Sequence, residues 1–207
     1  MGRNRLAWDA ASLYTRATMR KFFASLIEVL EVALVALGAV FLIRSFLVQP
    51  FLVSGASMAP TFQNGNYLLV DEISYQFRDP HRGEVIVFRY PNDESTFFIK
   101  RIIGIPGDTV SFESGKVKIV NAEHPDGIIL DESYLPQGVV TNPRPGNATS
   151  FTVQPGEYVV MGDNRSYSYD SRDWGILKTK EIIGMVRLRL WPVDELKVFA
   201  APATNQN

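Results

Sequence analysis

A single long apolar run near the start of the chain is the strongest feature of its hydrophobic pattern. Val32–Ile43 contains no charged residue, and extending the run to Ile27–Val48 gives the length of about 20 residues that a membrane-spanning helix needs. The charges in this extension lie towards its ends, where lipid headgroups reduce their cost. The pattern predicts a single transmembrane helix over residues 27–48. A buried soluble helix and a cleaved signal peptide are alternatives, the latter disfavoured because no small-x-small cleavage pattern follows the run.

The segment before this run is polar and basic. Residues 1–26 contain one acid, Asp9, and five basic residues, which are Arg3, Arg5, Arg16, Arg20 and Lys21. Basic flanks of membrane spans stay in the cytoplasm. We therefore expect a cytoplasmic N-terminal tail over 1–26, a single-pass anchor that contacts membrane lipid, and an extracytoplasmic location for everything after Val48.

After Val48 the pattern changes to short segments of alternating apolar and polar residues, separated by turns rich in Gly, Pro, Asn and Asp. No amphipathic helix is evident in this part of the sequence. The pattern predicts a mainly β fold, with an antiparallel and strongly coiled sheet. The predicted strands are Phe51–Val53, Tyr67–Ile73, Glu84–Tyr90, Thr96–Gly104, Thr109–Phe112, Lys116–Val120, Glu157–Met161 and Ile182–Leu190.

One stretch of this β region has little periodicity and many Pro, Gly and Asn residues. A long irregular stretch inside a compact domain is more often an excursion than part of its core. We therefore predict a small inserted β subdomain over residues 113–150. It divides the main β domain into 49–112 and 151–200, and residues 201–207 form a C-terminal tail.

Composition narrows the possible chemistry. The chain of 207 residues has a net charge of −1, which gives no reason to expect nucleic acid as a partner. It has no cysteine and only two histidines, so thiol nucleophiles and Cys- or His-rich metal sites are not expected. Both histidines lie near prolines in polar, turn-like surroundings, where a solvated side chain is the ordinary outcome. We expect no metal and no cofactor.

A serine and a lysine are the best candidates for catalysis. Ser57 lies among small residues in the segment Ser54–Thr61, where little bulk would shield its hydroxyl from a substrate. Strand alternation places Lys100 on the same face as Phe98 and Ile102. An amine between large apolar neighbours loses hydration, which favours its neutral form and lets it accept a proton from a hydroxyl. An ordinary surface turn and a lysine that reaches out from a sheet edge are the alternatives.

Four blocks of the sequence together resemble the bacterial type I signal peptidases, also called leader peptidases. Gly55–Thr61 fits the family's G-x-S-M-x-P-T pattern, and Gly65–Val70 resembles the next block, although Asn66 stands where aspartate is usual. Phe98–Asp108 resembles the lysine block. The polar segment Gly162–Gly175 resembles the block G-D-N-R…S-x-D-S-R. Their order after an N-terminal anchor makes the resemblance specific.

The resemblance implies a role for each matching residue. Ser57 would be the nucleophile, Lys100 the general base, and Ser168 would hydrogen-bond the lysine. The backbone N–H of Ser57 would be one hydrogen-bond donor to the oxyanion. Some family members have a serine that supplies the second donor, and Gly55 stands at that position here. The implied supporting ion pairs are Asp170 with Arg172 and Asp163 with Arg101. The implied lining of the substrate groove is Phe51, Val53, Met58, Phe98 and Ile99.

The function implied by the resemblance is removal of signal peptides from exported preproteins, with cleavage after small-x-small segments such as Ala-x-Ala. The enzyme would be a serine endopeptidase with a Ser-Lys dyad in the bacterial inner membrane, and preprotein signal peptides would be its partners. Two alternatives remain open from the sequence. One is a self-cleaving Ser-Lys regulator-type peptidase, which the anchor disfavours. The other is an inactive, membrane-tethered relative that binds peptides, which the presence of Ser57, Lys100 and Ser168 disfavours.

Overall fold

The computed structural model of the chain describes residues 25–39 and 48–199. The chain divides into two compact units, one ending at Phe46 and the other beginning at Leu47. In the first unit, residues 25–39 form helix α1. Neither α1 nor any other helix among the described residues combines the length and apolar character needed to cross a membrane. The predicted span over 27–48 includes residues 40–47, which lie outside the described residues, and it stays a prediction.

The second unit is built mainly from strands, most of them short. Its helices are α2 (Ser74–Phe77) and α3 (Ser171–Trp174), with 3-10 turns at Thr179–Glu181 and Val193–Glu195. The strands are β1 (Val48–Leu52), β2 (Tyr67–Asp71), β3 (Val85–Tyr90), β4 (Asp93–Gly104), β5 (Thr109–Glu113), β6 (Lys116–Val120), β7 (Ile128–Ile129), β8 (Ser150–Thr152), β9 (Glu157–Met161), β10 (Leu177–Lys178), β11 (Ile182–Trp191) and β12 (Lys197–Val198).

The larger sheet is antiparallel and has the strand order β1-β2-β11-β3-β4-β9-β10, with β12 paired to β11. The prediction of a mainly antiparallel β fold is confirmed. Strand β3 lies in the middle of this order and is buried from Val85 to Phe88. Its long partner β4 is exposed in its first half and buried from Lys100 to Gly104. This change along β4 places the lysine where the strand enters the core.

A second, four-stranded sheet has the order β7-β6-β5-β8 and is also antiparallel. It begins at Thr109 and ends at Thr152, so it extends beyond the predicted insertion 113–150 on both sides. The reason is that β8 pairs with β5, and these two strands flank the irregular segment. A buried apolar cluster that includes Ile103, Val110 and Val159 continues from this sheet into the larger one.

Two further apolar clusters fill the larger sheet. One contains Met58, Phe62 and Leu68, with Ile99 packed against it. The other contains Ile102, with Phe98 packed against it. Consecutive residues of β4 therefore contact different clusters, as strand alternation requires. Lys100 lies on β4 among these residues, so apolar side chains of both clusters are close to it.

Candidate active site

Ser57 lies in a turn that follows β1 and is held from two sides. Gly55 adopts a φ of +99°, which glycine accommodates without strain, and its N–H donates to Asn64 Oδ1 at 3.0 Å. On the other side, the backbone N–H of Asn164 donates to the Ser57 carbonyl oxygen at 3.0 Å, and its side-chain amide donates to the Ala56 carbonyl at 3.1 Å. The serine turn is thus fixed directly to the polar loop of residues 162–175.

Lys100 lies beside this serine. Its Nζ is 2.8 Å from Ser57 Oγ and 3.0 Å from the carbonyl oxygen of Ile99. The residue is 3% exposed, and its amine lies 5.1 Å from the centre of the Phe98 ring. The structure therefore brings together the two residues that the sequence predicts as the dyad, and it buries the amine.

Burial lowers the pKa of Lys100 from 10.5 to about 8, against the opposing influence of the negative charges of Asp170 and Asp163. An amine with this pKa is neutral in a substantial fraction of molecules near physiological pH, and its lone pair can accept a proton. With Ser57 Oγ at hydrogen-bond distance, this geometry can activate a hydroxyl for attack on a carbonyl carbon.

Two buried carboxylates near the lysine are each held by an arginine. Asp163 accepts from Arg101 Nε at 2.8 Å and Nη2 at 2.6 Å. Asp170 accepts from Arg172 Nε at 2.9 Å and Nη2 at 2.8 Å. Burial raises the pKa of Asp170, but the hydrogen bonds and charge of Arg172, with the N–H of Gly162, outweigh it and keep the pKa below its usual range. Both predicted ion pairs are present in this structure.

Ser168 does not make the contact that the resemblance implies. The residue is 2% exposed. Its buried Oγ makes no well-formed hydrogen bond among the described residues, although it lies close enough to Asp170 to help lower the pKa of that carboxyl. It is packed against Gly162, where a β-carbon would overlap both Ser168 Oγ and the carbonyl oxygen of Ser57. An unpaired buried hydroxyl is costly, so its position beside the dyad calls for an explanation.

An apolar cleft of about 350 Å³ opens at the dyad. Of the predicted groove residues, Phe51, Val53, Phe98 and Ile99 line it. Met58 departs from the expectation, because it is 1% exposed and packs in the core instead of lining the cleft. Its place in the serine turn explains this, since the residue after an accessible serine points to the opposite side.

The cleft also has lining residues that sequence reasoning missed. Phe97 is 49% exposed, Tyr167 is 81% exposed and Tyr169 is 52% exposed, and all three line the cleft. Tyr169 is close to Tyr90, with 3.2 Å between their hydroxyl oxygens. The alternation of the loop sequence was the available signal, because buried Ser168 and Asp170 alternate with Tyr167 and Tyr169, which are left on the outside.

The buried side chain of Arg165 was also missed as a structural residue. It forms a hydrogen-bonded ion pair with Glu132 and donates to Thr141 Oγ1 at 2.7 Å and to the Gly162 carbonyl at 3.0 Å. Arg165 belongs to a recognised block, but Glu132 lies in the irregular segment, where no pattern marks it. Within the described residues, no group of three or more His, Cys, Asp or Glu side chains is placed to bind a metal ion.

A serine hydroxyl, a buried amine of lowered pKa and an apolar cleft on an antiparallel β domain are the features of a serine-type hydrolase. Comparison with known proteins agrees with this class. The family described as "Signal peptidase, peptidase S26" matches residues 26–191. The chain belongs to this family.

Individual relatives give the same result. A probable signal peptidase I-2 from Synechocystis sp. is 35% identical over 170 residues, covering 79% of this chain and 72% of that protein. A signal peptidase I from Leptolyngbya laminosa is 36% identical over 170 residues, covering 77% of each. A crystal structure of a signal peptidase I from Enterococcus faecalis V583 aligns with a TM-score of 0.42 and 29% identity, covering 52% of this chain and 97% of that one.

Proposed function

We propose that this chain is a membrane-anchored endopeptidase that removes signal peptides from exported preproteins through a Ser57–Lys100 dyad. The observation that carries the proposal is the 2.8 Å contact between Ser57 Oγ and the buried amine of Lys100. Family membership supports the substrate class, because the relatives described above are signal peptidases by name.

In the proposed reaction, neutral Lys100 Nζ takes the proton of Ser57 Oγ as the oxygen attacks the scissile carbonyl carbon. The tetrahedral intermediate collapses when the C–N bond breaks, and Lys100 returns the proton to the leaving amine. A water molecule then attacks the acyl ester formed on Ser57 and gives a proton to Lys100. Lys100 passes this proton to Oγ as the C–Oγ bond breaks, which restores Ser57 and the neutral amine. The ion pairs Asp163–Arg101 and Asp170–Arg172 support the site and take no part in proton transfer.

The oxyanion of the intermediate needs hydrogen-bond donors. The Ser57 backbone N–H is the first in this proposal. Gly55 has no side chain, and its own N–H donates to Asn64 Oδ1. The second donor therefore comes from elsewhere, and the hydroxyl of Ser54, which also lines the cleft, is the nearest candidate in sequence.

An extended peptide could bind by pairing with free strand edges beside the cleft. β1 is the end strand of its sheet, and β9 pairs with β4 only from Arg101 to Gly104. The edge of β4 at Phe97–Ile99 is therefore open to strand addition. We propose that shallow apolar subsites here accept small side chains, which would give cleavage after small-x-small segments such as Ala-x-Ala.

We further propose that residues 27–48 anchor the enzyme in the bacterial inner membrane, with residues 1–26 in the cytoplasm. The apolar run supports this, and the basic flank sets the direction. The anchor would confine the enzyme to the surface from which signal peptides emerge.

Protease added to spheroplasts should cut near Pro143, and complete protection there would contradict the orientation.

The test of the proposed activity is mass spectrometry of a preprotein incubated with the full chain in detergent micelles. The wild type should release a mature protein that begins after a small-x-small segment, whereas Ser57→Ala should release none. Ser166→Ala, an exposed serine of the polar loop, is the matched control and should cleave normally. Wild-type cleavage by Ser57→Ala, or cleavage of the enzyme's own chain alone, would overturn the proposal.

A further inference from the structure

The irregular segment of residues 132–147 makes polar contacts with the polar loop at several places along its length. We name it the bracing segment, and it contains no helix or strand. At its start, Glu132 pairs with the buried guanidinium of Arg165. Near its end, Arg144 and Asn147 donate to backbone carbonyls of the loop. The loop that holds Ser168 is therefore fixed from outside by a segment with no catalytic motif.

Arg144 makes the contact closest to the dyad. Its Nη2 donates to the carbonyl oxygen of Ser168 at 2.6 Å, and the same nitrogen lies 3.4 Å from the carbonyl of Arg165. Its Nε lies 3.4 Å from Asp173 Oδ1, and the side chain is 28% exposed. Hydrogen bonds from a charged donor are stronger than neutral ones. This contact thus fixes the backbone of Ser168 at its carbonyl oxygen.

The surroundings of Ser168 leave little room for displacement. Its hydroxyl is buried against Gly162, and Gly162 in turn touches the carbonyl oxygen of Ser57. A shift of the Ser168 backbone therefore moves the hydroxyl relative to Lys100 or presses on the serine turn. Displacements well below one ångström at a reacting group alter rates strongly.

We propose that Arg144 is a positioning residue, which holds Ser168 through its carbonyl oxygen and so keeps the buried hydroxyl in place against Gly162, next to the serine turn, during catalysis. This inference rests on the proposed function of the dyad and gives the segment around residue 144 a role in it. Arg144 lines neither the dyad nor the cleft, so any effect on catalysis is indirect, and its shortest contact is the one with the Ser168 carbonyl.

The experiment is a double-mutant cycle on the full chain in detergent micelles, with kcat and KM measured on a signal-peptide substrate. Arg144→Ala should lower kcat about tenfold and change KM less than twofold, because it displaces a catalytic support without touching the cleft. Arg144→Lys, which keeps one charged donor, should recover part of the loss. In a Ser168→Ala background, Arg144→Ala should change kcat less than twofold, because the group it positions is gone.

Arg187→Ala is the matched control. Arg187 has a similar exposure, at 37%, and forms an ion pair with Asp71 away from the cleft, so its loss should leave kcat unchanged. An equal loss from Arg144→Ala with and without Ser168 would mean a general structural effect and would overturn the inference. The inference would also be overturned if Ser168→Ala lowered kcat but Arg144→Ala did not. That result would leave the proposed Ser57–Lys100 dyad standing. An unimpaired Ser168→Ala would reject the role of Ser168 as well.

Discussion

Replacing Lys100 with methionine should abolish cleavage and also stabilise the folded protein near neutral pH. The folded-state pKa of Lys100 is about 8, below its ordinary value of 10.5. Between these values the unfolded chain binds more protons than the folded one, so this lysine makes stability rise with pH. Below pH 8 the full cost of burying a charged amine is present, and methionine removes it.

The size of the effect follows from the two pKa values. The difference between 10.5 and about 8 corresponds to about 3 kcal/mol of destabilisation at pH 6.5, and to about 1 kcal/mol at pH 10. Methionine loses the hydrogen bonds to Ser57 Oγ and the Ile99 carbonyl, which contribute about 1 kcal/mol each. Lys100→Met should therefore be more stable than wild type at pH 6.5 by about 1 kcal/mol, and less stable at pH 10 by a similar amount.

Urea unfolding of the full chain in detergent micelles, followed by tryptophan fluorescence at both pH values, measures this difference directly. Comparing variants at each pH cancels the titration of groups that they share. Lys118→Met is the control, because Lys118 lies on β6 with 29% of its side chain exposed and pairs with Glu113. It should show no gain at pH 6.5. A stability difference for Lys100→Met that is the same at both pH values would refute the reasoning, as would retained cleavage.

Three further predictions concern the same site. The kcat/KM of the wild type should rise with pH through about 8, where the Lys100 amine loses its proton, and a maximum in acid would contradict this base. Asp163→Asn should move that inflection to lower pH, because it removes a negative charge that raises the Lys100 pKa and leaves the positive charge of Arg101 without its partner. A shift of the inflection to higher pH would contradict this effect of Asp163 on Lys100. Gly162→Ala should lower kcat at least about a hundredfold, because the new β-carbon would overlap Ser168 Oγ. A kcat close to that of the wild type would contradict this and show that the loop has room to relax.

Local sequence patterns marked Ser57 and Lys100 one at a time, whereas their pairing across 43 positions was supported by the resemblance to a family that uses both. Alternation along β4 places Lys100 between apolar neighbours, and a run of small residues makes the turn at Ser57. Each of these two predictions depends only on the residues next to it in the sequence. The main strands were predictable for the same reason, although β4 begins at Asp93, earlier than the predicted Thr96.

The bracing segment shows why other parts of the site could not be predicted. Arg144 and Asn147 donate to backbone carbonyls, and every residue has a carbonyl, so no partner is marked in the sequence. Glu132 and Arg165 are more than thirty positions apart and meet only once both sheets are formed. The strand beginning at Thr109 was predicted, but its pairing with β8 was not, because that pairing joins strands on either side of this irregular stretch.

The ion pairs around the dyad have an electrostatic consequence beyond rigidity. Asp163 and Asp170 both favour the charged form of Lys100, which opposes its role as a base. Each carboxylate is engaged by both ends of an arginine fork, and the guanidinium charges of Arg101 and Arg172 counter that influence. The carboxylates can thus orient the polar loop through their hydrogen bonds while burial still dominates the lysine pKa. Without the arginines, the same two carboxylate charges would raise the Lys100 pKa further and move the onset of activity to higher pH.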